Sequence, residues 1–173
     1  MLDKKTIDII KSTAPVLKER GTEITSHMYQ RMFKNYPELL NIFNHANQMK
    51  GRQQTALANA LFEAGTHIEN LEEIIPLVEQ IAHKHRSLGV KAEQYPVVGE
   101  NLIAAMREVL KEEPEEIFEA WGKAYQVIAD AFINVEKTFY EKAEKQENGW
   151  RDFEEFVICK KEKKKVCQLP LFT

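Results

Sequence analysis

The stretch QIAHKHRSLG, residues 80–89, decides the reading of this chain, because it carries two histidines, His83 and His85, on a segment with helical period. Ile74, Val78, Ile81 and His85 follow one another at steps of four, three and four residues. That spacing places all four on one face of an α-helix. His83 lies two residues from both Ile81 and His85 and falls on nearly the opposite side. His85 therefore closes an apolar stripe, and His83 joins the solvated residues. Gly89 marks the end of the helix.

The same period runs outward in both directions. Asp3 can cap a helix whose stripe is Ile7, Ile10, Ala14 and Leu17. Gly21 is expected to end it, and Thr22 to cap a second helix carrying Ile24, Met28, Met32 and Tyr36. Pro37 suits the first turn of a short helix in YPELLNIF. A segment from about Lys50 to Asn70 carries Leu57, Leu61, Ala64 and Ile68. Ile74 to Arg86 forms the helix described above. Another helix runs from about Ala92 to Lys111 with Val98, Leu102, Met106 and Val109 in register. The longest, Glu112 to Glu144, carries Ile117, Trp121, Ala124, Ile128, Phe132 and Phe139. β-Branched alternation occurs only at the tail, in EEFVICK. The fold class is all-α, without an internal repeat.

Composition narrows the function. The chain has 173 residues, 24 Lys+Arg against 27 Asp+Glu, and a formal net charge of -3. A weakly acidic total gives no electrostatic case for nucleic acid. No apolar run approaches the roughly 20 residues of a membrane span. The start, MLDKKTIDII, lacks the pattern of a signal peptide. Two cysteines, Cys159 and Cys167, both near the C-terminus, cannot staple the helices. These features describe a cytoplasmic protein with no membrane and no nucleic-acid partner.

A histidine on an apolar stripe is either a core residue with a hydrogen-bond partner or a ligand. A zinc clip made of His83 and His85 fits badly, because residues two apart on a helix do not converge on one ion. A cofactor that takes a single axial imidazole, such as haem, fits better. Gln53 lies four residues before Leu57 on the stripe of its own segment, and Tyr29 stands beside Met28. An amide on an apolar face is unfavourable without a partner. By residue type alone, Gln53 reads as a surface glutamine, Tyr29 as a core-edge tyrosine and Glu136 as a solvated charge.

Taken together, MLDKKTI, YQRMFKNYPELLNIFN, QQTALANA, IAHKHRSLGVKAEQYPVVGENL, WGKAYQVIADAFINVE and NGW resemble the globin domain of bacterial flavohaemoglobins over residues 1–158. The resemblance implies a globin fold around haem b. It makes His85 the iron ligand, and places Tyr29 and Gln53 on the side of bound O2 with Leu57 over the iron. Phe43 becomes the aromatic that wedges the haem, Tyr95 and Glu136 the groups behind His85, and Lys84 a residue at the haem edge. It further implies O2, NO and CO as ligands and nitric oxide dioxygenation, NO and O2 giving nitrate. A non-catalytic O2- or NO-binding or gas-sensing globin is the alternative.

The pattern breaks at the C-terminus. Flavohaemoglobins continue into an FAD-binding barrel and a nicotinamide-binding domain. Here FEEFVICKK resembles the first barrel strand and then runs into EKKKVCQLPLFT. A globin domain over 1–148 and a largely irregular extension over 149–173 are expected, with no FAD or NAD site. Re-reduction of the iron would then fall to a separate flavin reductase.

Overall fold

The structure is a computed structural model describing residues 2–43, 48–145 and 157. Five α-helices have both ends among the described residues: α1 (Lys4–Asn35), α2 (Arg52–Thr66), α3 (Ile75–Leu88), α4 (Tyr95–Val109) and α5 (Glu115–Glu144). Short 3₁₀ turns at Pro37–Asn41, Leu71–Ile74 and Ala92–Gln94 join them. No strand occurs among the described residues. The expected extension and its strand lie outside them, apart from the exposed Val157.

The expected break at Gly21 does not occur, and α1 runs unbroken through Gly21 and Thr22. Gly21 is buried, and a Cβ built on it would stand 2.9 Å from the Ala58 Cβ. Glycine inside a helix costs about 1 kcal/mol relative to alanine. Here it marks a close approach of α1 to α2 that a larger residue would obstruct, and the packing offsets that cost. Asp3 caps α1 as expected. Its carboxylate accepts from the Thr6 backbone N–H and hydroxyl, each at 2.9 Å. These bonds hold the Asp3 carboxyl below its ordinary pKa.

Several ends differ from the sequence reading. α2 spans Arg52–Thr66 rather than 50–70, because Gly51 turns the chain with φ +67° before its first residue. The segment expected to begin at Ala92 opens as a 3₁₀ turn and becomes α-helical at Tyr95, with Pro96 in its first turn. Gly89 ends α3 in the left-handed conformation at φ +69°, as its position predicts.

The core collects Ile10, Ile24, Met28, Met32, Leu102, Met106 and Trp121, all almost fully buried. α1 packs on α2, α4 and α5, while α3 packs on α5. Trp121 anchors α5 to α1, its indole N–H donating to the Thr13 hydroxyl at 3.0 Å. Leu57 and His85 thus sit on helices supported by different neighbours.

Candidate functional site

α3 delivers His85 to the apolar side because Val78, about two turns before it on the same face, is buried at 3% exposure. The His85 side chain remains 30% exposed. Its Nδ1 lies 2.6 Å from Glu136 Oε1 on α5 and 3.1 Å from the Tyr95 hydroxyl on α4. The Tyr95 hydroxyl donates to the same Glu136 oxygen at 2.6 Å. Three helices thus converge on one carboxylate oxygen. Glu136 is buried, at 3% exposure. A buried acceptor of this kind puts the imidazole proton on Nδ1 and leaves the lone pair on Nε2. Nε2 has no partner among the described residues.

Burial pushes the Tyr95 phenol well above its ordinary pKa, and the hydrogen bond to Glu136 adds to the effect. The backbone on either side of the triad is fastened by two further tyrosines. Tyr125 donates to the Tyr95 carbonyl at 2.8 Å, and Tyr140 to the Val90 carbonyl at 2.8 Å. Val90 in turn donates its N–H to the His85 carbonyl at 3.1 Å. Sequence reasoning missed Tyr125 and Tyr140; both lie on the long stripe of α5, where an aromatic reads as ordinary core.

A second cluster lies on α1 and the turn that follows. Tyr29 is buried, and its ring stacks on Phe33 at 5.6 Å and meets Phe43 edge-on at 5.5 Å. Its hydroxyl has no hydrogen-bond partner among the described residues. Burial alone raises its pKa. Burial also raises that of Tyr125, with Tyr29 as the second cause. A cavity of about 380 Å³ opens beside Tyr29, lined also by Phe33, Leu40, Phe43, Gln48 and Gln54.

The remaining candidates take different positions. Leu57 is half-buried against the core. Gln53 is half-buried too, and its carbonyl oxygen accepts from Gln48 Nε2 at 2.6 Å. Gln48 and Gln54 were not singled out from the sequence, because only Gln53 keeps step with Leu57. Lys84 is exposed, one residue before His85. His83 is exposed and lies flat on Phe139, ring centroids 4.1 Å apart. Among the described residues no three or more His, Cys, Asp or Glu side chains form a metal cage, and no helix is long and apolar enough to cross a membrane.

Helices packed around one imidazole that a buried carboxylate backs suit a globin, and the comparisons identify that family. The family model described as Globin matches residues 26–132, and the chain belongs to the globin family. It is 61% identical over 163 residues to a flavohemoprotein of Bacillus cereus, covering 94% of this chain and 40% of that protein. The flavohemoprotein of Bacillus subtilis is 56% identical, with 94% and 41% covered. The chain therefore spans about two fifths of the length of these relatives, and corresponds to their globin part. Among solved structures, a bacterial globin from Campylobacter jejuni is 40% identical with a TM-score of 0.78, covering 80% of this chain and 99% of that one. The flavohemoglobin of Malassezia yamatoensis with bound FAD and heme is 31% identical, TM-score 0.73, with 81% and 38% covered.

Proposed function

We propose that this chain is a haem b globin of the cytoplasm that binds O2 and, with electrons from a separate flavin reductase, oxidises NO to nitrate. The balance is NO + O2 + e⁻ → NO3⁻. The observation that carries the reading is the His85 imidazole, whose Nδ1 proton is held by Glu136 at 2.6 Å and whose Nε2 is left free. A lone imidazole whose Nδ1 is held and whose Nε2 is free fits an iron ligand, and the Malassezia relative holds haem. Haem, held by His85, would supply an iron that binds a diatomic ligand and exchanges one electron.

The chain's own residues then divide the work. Glu136 and Tyr95 hold the Nδ1 proton and so make Nε2 a stronger electron donor. Tyr29 offers an unsatisfied hydroxyl beside an aromatic wall, where a donor acts more strongly on a polarised ligand than it does in water. Gln53 offers a second donor. Phe43 and Leu57 confine the ligand side and exclude water, and Lys84 presents a positive charge at the exposed edge.

The test is a haemin titration followed by NO consumption with and without a flavin reductase and NADH. We expect one haem per chain and sustained NO loss only with the reductase. Haem binding without NO turnover in the complete mixture would overturn the dioxygenase reading in favour of a ligand-binding or gas-sensing globin. Absence of haem binding would overturn both.

A further inference from the structure

Three glutamine amides, of which Gln48 and Gln54 line the Tyr29 cavity, form a directed chain. Gln54 Nε2 lies 3.2 Å from the backbone carbonyl of Gln48 and 2.9 Å from Gln48 Oε1. Gln48 Nε2 lies 2.6 Å from Gln53 Oε1. Side-chain amides can flip, exchanging oxygen for nitrogen, so their orientation must follow from the network. A backbone carbonyl only accepts, and the Gln54 atom facing it must therefore be N–H2. That forces the neighbouring Gln48 atom to be oxygen. Gln48 then presents N–H2 to Gln53, and the facing Gln53 atom must be oxygen in turn. One carbonyl sets three amides.

The anchor itself is held firmly. The Gln48 carbonyl also accepts from the Gly51 N–H at 3.1 Å within the turn before α2. The Gln54 carbonyl accepts from the Thr25 hydroxyl at 2.9 Å, which ties the start of α2 to α1. Gln54 Oε1 is buried without a hydrogen-bond partner among the described residues. A buried lone acceptor is unfavourable. Flipping Gln54 would not relieve it cheaply, because the flip sets its oxygen against two oxygens of Gln48.

We propose that Gln48 is a positioning residue that holds the Gln53 oxygen toward itself and so leaves the N–H2 as the group Gln53 turns away from it. This rests on the reading of Gln53 as a ligand-facing group. A Gln53 presenting its N–H2 favours ligands with negative charge on the outer atom, such as bound O2, over CO. Gln48 does not itself touch the ligand and acts through Gln53.

The experiment uses the haem-loaded chain carrying Gln48→Glu, Gln48→Leu, Gln53→Leu, or Gln48→Glu with Gln53→Leu. Two quantities are read: the O2 dissociation rate and the C–O stretching frequency of the ferrous CO complex. In Gln48→Glu the new carboxylate still accepts from Gln54 but has no N–H for Gln53. Gln53 then turns its N–H2 toward the carboxylate and its oxygen toward the ligand. O2 release should quicken about 2- to 13-fold, the effect of one hydrogen bond, and the C–O stretch should rise. Gln48→Leu, which unties Gln53 without reversing it, should give changes of the same sign and carries the test if Gln48→Glu does not fold. With Gln53→Leu already present, Gln48→Glu should add nothing. The inference is overturned if Gln53→Leu changes both quantities and the Gln48 variants change neither. If Gln53→Leu moves neither, the ligand-facing reading of Gln53 fails first and the inference falls with it.

Discussion

Replacing Glu136 by leucine tests the three-helix convergence on His85. In the parent chain one buried oxygen accepts from His85 Nδ1 and from the Tyr95 hydroxyl, both at 2.6 Å. Hydrogen bonds to a charged group contribute about 1.5–3 kcal/mol each, so the plain sum is about 3–6 kcal/mol. The geometry reduces that figure. Tyr95 lies 3.1 Å from Nδ1, so its oxygen can take over the imidazole proton. Only the Tyr95 proton is then left without an acceptor, at about 1–3 kcal/mol. Burial of leucine in place of a carboxylate offsets part of it. The expected loss for Glu136→Leu is therefore about 1–3 kcal/mol, read as the urea midpoint of the haem-loaded chain by circular dichroism. Tyr95→Phe should couple to it by at least about 0.5 kcal/mol in a double-mutant cycle, since both act on one proton. The iron–imidazole stretch should fall in frequency, because Nε2 becomes a weaker donor. A Glu136→Leu chain within about 0.5 kcal/mol of the parent, or strict additivity with Tyr95→Phe, would refute the convergence.

Two further outcomes follow from the tyrosines. Tyr29→Phe keeps the ring contacts with Phe33 and Phe43 and removes only the hydroxyl; a lost hydrogen bond of about 1.5–3 kcal/mol should speed O2 release roughly 10- to 150-fold by stopped flow, with CO far less affected. Burial raises the pKa of Tyr29, Tyr95 and Tyr125 above the ordinary value of 10.0. Below pH 10 both folded and unfolded states hold these protons, so stability is unaffected. Above it the unfolded chain ionises first, and stability should fall by up to about 1.4 kcal/mol per pH unit for each tyrosine. Phenolate absorbance should then rise together with unfolding; ionisation of these three in the folded chain near pH 10 would contradict their burial.

Some of this was legible in the sequence, and the physical reasons differ by residue. His85 could be told from His83 because helical period is local, and the structure keeps them apart, one beside Glu136 and the other exposed on Phe139. The Asp3 cap and the Gly89 end are local for the same reason. Gly21 misled because a glycine followed by a threonine carries every local sign of a helix boundary. What overrides it is Ala58, 37 positions along the chain and pressed against α1. Glu136 follows Phe132 by one helical turn and so can face inward, but a carboxylate reads as a solvated charge by residue type, and the partner that makes its burial tolerable stands 51 residues earlier. The resemblance to flavohaemoglobins supplied what periodicity could not there. The directed amide chain was invisible, because Gln48 precedes α2 in a stretch without helical period and its partners depend on the turn at Gly51.

The central claim is that His85 holds the haem, and it is tested most directly by haemin titration of His85→Ala beside His83→Ala. His83 makes its one ring contact on the surface with Phe139, whereas His85 is backed by Glu136 and keeps Nε2 free. His85→Ala should lose haem, or hold it without the ferrous spectrum of an imidazole-ligated iron, while His83→Ala should match the parent in stoichiometry and spectrum. Retention of the parent's ferrous spectrum by His85→Ala, or its loss in His83→Ala alone, would contradict the account.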